Sequence, residues 1–494
     1  MISLSDEQKN AIGLSFVLGK LQGDSPFGEA LIRKAGFYKK EQKRELLDEF
    51  DNIAHILTYI ERSEDGLDKL RRILMGFKSI ENILKKLEHS YLHEIEFFEL
   101  KSFMLSLAKL MTEFSQISLS LTGIEFKDME VALNILDPDK KRVAPFYLNE
   151  RYTKDLWDIR NEKNRIEALI RAAADNEALD KLKLERGVIA AREEEAETFV
   201  KKDLSEKLKP FLPVFLENIT AIGRLDFTIQ KTLLAKAYGA VCPEIAAGEG
   251  AVRFSHMRNP QAEAVLAERG KGFTPLSIEL KVGTTLISGA NMGGKTVAIK
   301  TAVLNVCLCH MGFFVFAAEA KIPLFDGVHL IAEDTQSISS GLSTFGGEVV
   351  RFNNIVQRAK SEYLFVALDE FARGTNPEEG AMIVRAVSRY LNKLKLVAVL
   401  STHYDNVAEE GFGLYQVAGL KNLDFEKLSG EPANGREPAS KVDLISAHMD
   451  YRLLPVQGSL KSPRDALNIC KLLGTPQEVV DAIEEEYGLR ACVQ

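Results

Sequence analysis

At 494 residues the chain is too long for one hydrophobic core, and roughly two to four domains are expected. Hydrophobic residues make up 46% and charged residues 27%, an ordinary globular composition that excludes wholesale disorder. The formal net charge of -8 speaks against a protein that coats nucleic acid through global electrostatics, while a local basic surface stays open.

The N-terminal residues MISLSDEQKNAIGL lack the basic start and long apolar stretch of a secretory signal. From about Leu46 to Leu121 apolar residues recur at three- and four-residue spacing without a proline, which predicts one amphipathic helix after another. Residues 136–152 (LDPDKKRVAPFYLNERY) break that pattern with turn residues and Pro145, so a short loop or hairpin is expected. A second helical block follows from Thr153 to about Lys209, rich in charge and poor in aromatics. That pattern suits long helices projecting into solvent as an antiparallel hairpin. The acidic AREEEAE run within it reads as a solvated helix face.

Near Pro210 the character changes. Beyond about Gly250 short β-rich runs alternate with turns and helices, and TTLISGA, LFVALDE and LVAVLST read as buried parallel strands of a βαβ architecture. The boundary is placed at 240–250, giving a helical domain over 1–245, its hairpin at about 153–209, and an α/β domain over 246–494. The tail adds a polar loop, a strand-like stretch (VDLISAHMDYRLLPV) and a final helix (PQEVVDAIEEEY). The most apolar run, Ala302 to Ala318, is interrupted by Asn305 and His310 and falls short of a membrane span. Cys242, Cys307, Cys309, Cys470 and Cys492 are few, odd in number and scattered, which suits a reducing cytosol. Cys307 and Cys309 form a C-x-C, yet no second pair stands at metal-ligand spacing, so buried structural thiols are expected. A cytoplasmic location is the expectation.

The chemistry concentrates in the second half. GANMGGKT (289–296) matches G-x-x-x-x-G-K-[ST] and stands between a strand-like run and a helical one, the context that a phosphate-cradling P-loop requires. Glycines let successive backbone N–H groups curl round a phosphate, and the helix N-terminus adds its positive dipole end. Lys295 would reach the β- and γ-phosphates of a nucleotide, and the Thr296 hydroxyl would meet Mg²⁺. Hydrolysis needs a second group, and YLFVALDE (363–370) supplies a β-run ending in two carboxylates. Asp369 would hold the metal through its water shell, and Glu370 would orient or deprotonate the attacking water. The plainer reading of these acids is a strand end capping the next turn. STHY (401–404) then places His403 at another strand end, a position similar to that of the γ-phosphate sensor in ABC ATPases. Taken alone His403 reads as structural, and its assignment leans on the order of the other motifs.

These blocks resemble the MutS family of ABC-type ATPases. Within GANMGGKT, the Asn291-Met292-Gly293-Gly294-Lys295 run is similar to that family's P-loop. Leu342-Ser343-Thr344-Phe345, with Glu348 beyond, resembles the Ser-Thr-Phe signature, Asp369 to Thr375 resembles the Walker B and D-loop run, and Thr402-His403-Tyr404 resembles the switch. Arg258-Asn259-Pro260 and Phe273 resemble the lead-in to the ATPase domain, where an aromatic stacks on adenine. YTKDLWDIR (152–160) and ITAIGRLDFTIQKTLLAKAYGAVCPEI (219–245) resemble the descending and returning lever helices. The resemblance covers roughly residues 45–420, strongly in the second half and loosely in the first.

The resemblance implies an α/β P-loop (ABC-type) ATPase domain preceded by an all-α core and lever domain with a long helical hairpin. It implies ATP and Mg²⁺ as cofactors and work as a dimer, with itself or a related chain, in which Ser343 closes over the γ-phosphate bound to the other subunit. Gly289, Asn291, Met292, Gly293, Gly294, Lys295, Thr296, Phe273 and Ser343 are the nucleotide-binding set it implies.

A mismatch-reading domain, a connector and the nuclease domain found in the paralogues that TQSI (335–338) and GTNP (374–377) resemble are all expected to be missing. Phe27-Gly28-Glu29 imitates a mismatch-wedging motif without the domain to present it. The expectation is an ATPase that moves levers on DNA structures or DNA-bound complexes without reading mismatches. Acidic and basic residues are nearly balanced in the hairpin, so no phosphate-tracking surface shows there. A second reading therefore stays open, an ATP-dependent reactivating factor for a cobalamin-dependent aminomutase such as lysine 5,6-aminomutase. A third, a nucleotide-gated scaffold without turnover, is opposed by Glu370.

Overall fold

The computed structural model describes residues 4–62, 65–117, 119–149, 151–173, 175–289, 294–332, 344–419, 450–458, 467, 470–471 and 474–486. The chain divides into two compact units, one of Gln22–Ala35 and Asp51–Thr232, the other of Met1–Leu21, Gly36–Phe50 and Leu233–Gln494. In chain order the helices begin with α1 (Asp6–Ile12), α2 (Leu14–Leu18), α3 (Pro26–Arg33) and α4 (Lys43–Arg62). They continue with α5 (Asp65–Leu74), α6 (Glu81–His89), α7 (Glu94–Gln116) and α8 (Glu130–Leu136). Then come α9 (Lys154–Ala172), α10 (Asn176–Leu208) and α11 (Leu212–Tyr238).

The helical unit is built on the stripes that the sequence spacing predicts. Leu67, Leu70 and Leu74 of α5 and Phe97, Leu100, Phe103, Met104, Leu107 and Leu110 of α7 are buried. The Phe27 ring meets Phe77 and Phe103 edge-on at 6.3 and 6.1 Å between centroids. Phe27 is thus core, and Gly28 beside it is small for a reason: a Cβ there would run into the Asp226 carboxylate. Asp226, buried on α11, accepts hydrogen bonds from Ser25 N and Ser25 Oγ, both at 2.6 Å, and from Asp24 N at 3.1 Å. Lys101 and Asp137 form a buried ion pair at 3.2 Å. Among its described residues, the 136–152 segment is loop rather than β-hairpin after α8 ends, with Phe146 packed on Phe97 at 5.2 Å.

Helices α9 and α10 lie antiparallel, as their cross-links show: Arg160 pairs with Glu193 and Glu197 at 3.0 and 2.9 Å, Arg192 with Glu162 at 3.0 Å and Arg186 with Glu167 at 3.1 Å. Thr153 and Asp175 cap their N-termini by accepting from Leu156 N and Ala178 N. At 33 residues α10 is about 50 Å long by the rise of an α-helix.

The α/β unit carries two sheets. Its strands are β1 (Glu244–Ile245), β2 (Val252–Met257), β3 (Leu276–Leu280), β4 (Gly283–Ser288) and β5 (Glu319–Ile322). They continue with β6 (Gly327–Ile331), β7 (Leu364–Leu368), β8 (Val397–Thr402), β9 (Gly413–Gly419) and β10 (Asp450–Pro455). Its helices are α12 (Pro260–Glu268), α13 (Lys295–His310), α14 (Thr344–Arg358), α15 (Pro377–Asn392) and α16 (Gln477–Glu486), besides α1 and α2.

The larger sheet runs β10-β9-β4-β8-β7-β6, parallel throughout except for β10, which pairs antiparallel with β9. Every residue of β4, β7 and β8 is buried, the mark of central parallel strands covered on both faces. The smaller sheet, β1-β5-β2-β3, pairs antiparallel at β2-β5 and β2-β3. Sequence periodicity does not single it out, because its strands are short and half exposed.

The two polar residues that interrupt the apolar run both find partners, although His310 Nδ1 is buried without one among the described residues. Asn305 donates to Thr301 O and Arg258 O and accepts Phe316 N at 2.7 Å, and His310 Nε2 accepts Phe325 N at 3.2 Å. Among the described residues no helix is long and apolar enough to cross a membrane.

A single boundary at 245 does not describe these units, since two N-terminal pieces belong with the α/β unit. Gln8 Nε2 donates to Leu330 O on the edge strand β6 at 2.8 Å, Asn259 Nδ2 to Ile12 O at 3.1 Å, Tyr38 N to His310 O at 2.7 Å, and Lys40 pairs with Asp326 at 2.6 Å. Bonds that bridge such sequence separations leave no local pattern.

Candidate functional site

Parallel strands end together, and the chemistry-bearing residues sit where β4, β7 and β8 do. Past β4, Gly289 passes so close to β9 that a Cβ would lie 3.0 Å from Val417 Cβ. Gly294 is left-handed at φ 85, the conformation that favours glycine, and stands as N-cap of α13 with no side-chain cap bond. An N-cap without a side chain, at the positive end of a 16-residue helix, leaves room for an anion. Asn291, Met292, Gly293 and Ser343 lie outside the described residues.

Lys295, the first residue of α13, is 3% exposed; its Nζ donates to Gly289 O at 2.7 Å and lies 3.7 Å from Glu370 Oε1. Burial pushes its pKa down, while the carboxylates of Glu370 and Asp369 oppose that shift. Thr296 Oγ1 donates to Asp369 Oδ1 at 3.2 Å, and Ser401 Oγ, at the end of β8, donates to the same oxygen at 2.6 Å. Ser401 Oγ also accepts Glu370 N at 2.9 Å, so one hydroxyl fixes both acids that follow β7.

Glu370 is left-handed at φ 50, an uncommon conformation for a residue with a side chain, and its Oε2 lies 3.1 Å from Arg373 Nη1. His403 is partly buried and feels the charges of Glu370, Lys295 and Arg373. Burial is the largest influence and lowers its pKa, which keeps the imidazole neutral near neutral pH.

The fold thus gathers Gly289, Gly294, Lys295, Thr296, Asp369, Glu370 and His403 from three separated stretches of sequence. Phe273 is partly buried in the loop between α12 and β3. The roles of Ser401 and Arg373 are not visible in the motifs, although both lie inside them; a hydroxyl at the end of the strand next to the acidic one is the signal. Cys307 and Cys309 are fully buried in α13, and burial pushes both thiols up, as expected of structural cysteines. Among the described residues no three His, Cys, Asp or Glu side chains group as metal ligands.

Residues 285–487 match the family described as MutS domain V. The chain is 29% identical over 293 residues to the endonuclease MutS2 of Thermomicrobium roseum, an alignment covering 58% of this chain and 34% of that protein. It is 27% identical over 292 residues to the endonuclease MutS2 of Lactococcus lactis subsp. lactis, covering 59% and 34%. Against the DNA mismatch repair protein MutS of Syntrophomonas wolfei it is 31% identical over 315 residues, covering 62% and 34%. The matched part is thus about a third of the length of each of these relatives.

Proposed function

The chain belongs to the MutS family, and from that premise we propose that it is an ATPase coupling ATP binding and hydrolysis to lever movement. The observation that carries this reading is the meeting of Lys295, the Thr296–Asp369 pair and Glu370 beyond the ends of parallel strands, with Lys295 Nζ 3.7 Å from Glu370 Oε1 and Thr296 Oγ1 3.2 Å from Asp369 Oδ1. The N-terminus of α13 and the Lys295 ammonium bind the phosphate chain. In that role Lys295 exchanges Gly289 O for phosphate oxygens, whose charge opposes the downward push of burial on its pKa.

Thr296 and Asp369 offer a hydroxyl and a carboxylate oxygen, donors suited to Mg²⁺ bound together with nucleotide phosphates. When bound, magnesium supplies neutralisation of the charge on the phosphoryl oxygens. Glu370, with its carboxylate turned toward Lys295 by the left-handed backbone, orients the attacking water and takes its proton. Neutral His403 meets the γ-phosphate as sensor, Phe273 stacks on adenine, and Ser343 closes over the nucleotide of a second subunit in a dimer.

For the partner we propose DNA structures or DNA-bound complexes, by likeness to relatives named for endonuclease and mismatch-repair work. One observation favours the second reading, a protein partner such as a cobalamin-dependent aminomutase. Arg160, Lys163, Arg186 and Arg192, basic residues of the hairpin, are paired with glutamates of the same hairpin. Arginines already held by carboxylates contribute little to phosphate tracking.

The test is magnesium-dependent ATP hydrolysis by the purified chain, with and without duplex DNA over a salt series. Turnover stimulated by DNA and falling steeply with salt supports the first partner. Stimulation by aminomutase alone supports the second, and no magnesium-dependent turnover at all sinks the ATPase reading.

A further inference from the structure

Three successive residues after β7 are held one by one. Glu370 N is fixed by Ser401 Oγ at 2.9 Å. The Phe371 ring packs against Phe345 and Phe352, with centroids 6.3 and 5.7 Å away. Ala372, fully buried and left-handed at φ 64, donates its N–H to Glu348 Oε2 at 3.0 Å, and its carbonyl accepts the Tyr404 hydroxyl at 3.1 Å. Phe345, Glu348 and Phe352 are spaced three and four residues apart on α14 and therefore share one helix face. Room for the Tyr404 hydroxyl comes from Gly380 on α15, where a Cβ would collide with it.

Two side-chain-bearing residues, Glu370 and Ala372, thus stand in the left-handed region within one short loop. Backbone of that kind persists only where the surroundings over-determine it. Glu348 and Tyr404 grip the two sides of the Ala372 residue, the N–H and the C=O, two residues from the carboxylate that faces Lys295.

We propose that Glu348 and Tyr404 are positioning residues for hydrolysis: they clamp Ala372 so that the left-handed turn at Glu370 aims its carboxylate at the site. The proposal rests on the reading of Glu370 as the group that orients the attacking water. Neither residue needs to touch nucleotide. Removing the Glu348 carboxylate leaves a buried N–H without its acceptor, lets the loop relax, and misplaces Glu370 while Lys295 and Thr296 stay as they are.

The experiment is steady-state MgATP hydrolysis by the full chain and by Glu348→Ala, Glu348→Gln and Tyr404→Phe, with Glu370→Gln alongside and folding followed by circular dichroism. Glu348→Ala is expected to lose on the order of ten- to a hundredfold in kcat with KM for ATP within about twofold. Glu348→Gln should regain most of that loss, because its amide oxygen can accept the same N–H. Tyr404→Phe should lower kcat several-fold, again without moving KM.

Parental kcat in Glu348→Ala, a loss confined to KM, or a Gln variant no better than Ala overturns the proposal. Should Glu348→Ala fail to fold, Tyr404→Phe decides, since it removes one hydroxyl only, and parental kcat there overturns the clamp. A parental rate in Glu370→Gln instead sinks the reading of Glu370 itself, which separates the two failures.

Discussion

Lys295 shows how one residue can be legible in sequence and still need the fold to explain its chemistry. Its place in GANMGGKT announces a phosphate contact, but the Glu370 carboxylate opposite it comes from far along the chain, and burial pushes its pKa down. Lys295→Ala should lower affinity for a fluorescent ATP analogue by on the order of a hundredfold, the loss expected when a buried charge-assisted contact is removed. Titration at fixed Mg²⁺ measures it.

A second residue-scale expectation concerns Lys101, whose buried ammonium is paired with Asp137. Lys101→Ala takes from the buried Asp137 carboxylate its ammonium partner, leaving it the bond from Arg142 N, and should cost up to about 3–5 kcal/mol in urea unfolding. A loss within experimental error would mean that the pair contributes nothing.

His310 adds a pH dependence. It is fully buried, and burial above all holds its pKa down to about 4, below the ordinary 6.5. Because the folded value lies below the unfolded one, its contribution is whole above about pH 6.5 and is lost as pH falls toward 4. The slope is about 1.4 kcal/mol per pH unit for one proton. His310→Gln should flatten the fall in stability of the α/β unit over that window by about one proton, read from melts at stepped pH.

At the scale of elements, what could be read depended on whether the pattern was local. The stripes of α5 and α7, the hairpin pair α9 and α10 and the apolar runs of β4, β7 and β8 follow from spacing alone, because each element's own residues decide which face is buried. Strands β1, β2, β3 and β5 were hidden, being short and paired mostly antiparallel with one face in solvent.

Helix α12 illustrates a mixed case. Asn259-Pro260 announces an N-terminus, and Asn259 Oδ1 indeed accepts Gln261 N and Ala262 N, yet its amide also donates to Ile12 O. Asn259→Ala removes both the cap and the tie and should cost about 1–2 kcal/mol, measured as a drop of several degrees in melting temperature. A drop no larger than that of an exposed control substitution would show the tie to be idle.

For the whole molecule, the two units are discontinuous in sequence, and a boundary drawn from composition could not anticipate that Gly36–Phe50 belongs with Leu233–Gln494. The proposed dimer has a consequence that composition of subunits can test. Ser343→Ala and Lys295→Ala should each be nearly inactive alone. Mixed in equal amounts they should restore at most one working site per dimer, seen as partial recovery in a steady-state ATPase titration. Additivity of the two residual rates, with no recovery at any ratio, would remove the second subunit's Ser343 from the mechanism.

The sequence by itself determined the α/β character of the second half, the hairpin of the first, and the identities of Lys295, Thr296, Asp369, Glu370 and His403 as the residues to watch. Phosphate chemistry constrains residue types at short fixed spacings, and short spacings survive in one dimension. Only the tertiary structure decided that Ser401 bridges both acids, that Glu370 and Ala372 take left-handed backbone, and that Glu348 and Tyr404 hold the latter. Those facts depend on hydrogen bonds between elements far apart in the chain, where geometry is fixed by packing and leaves no spacing to read.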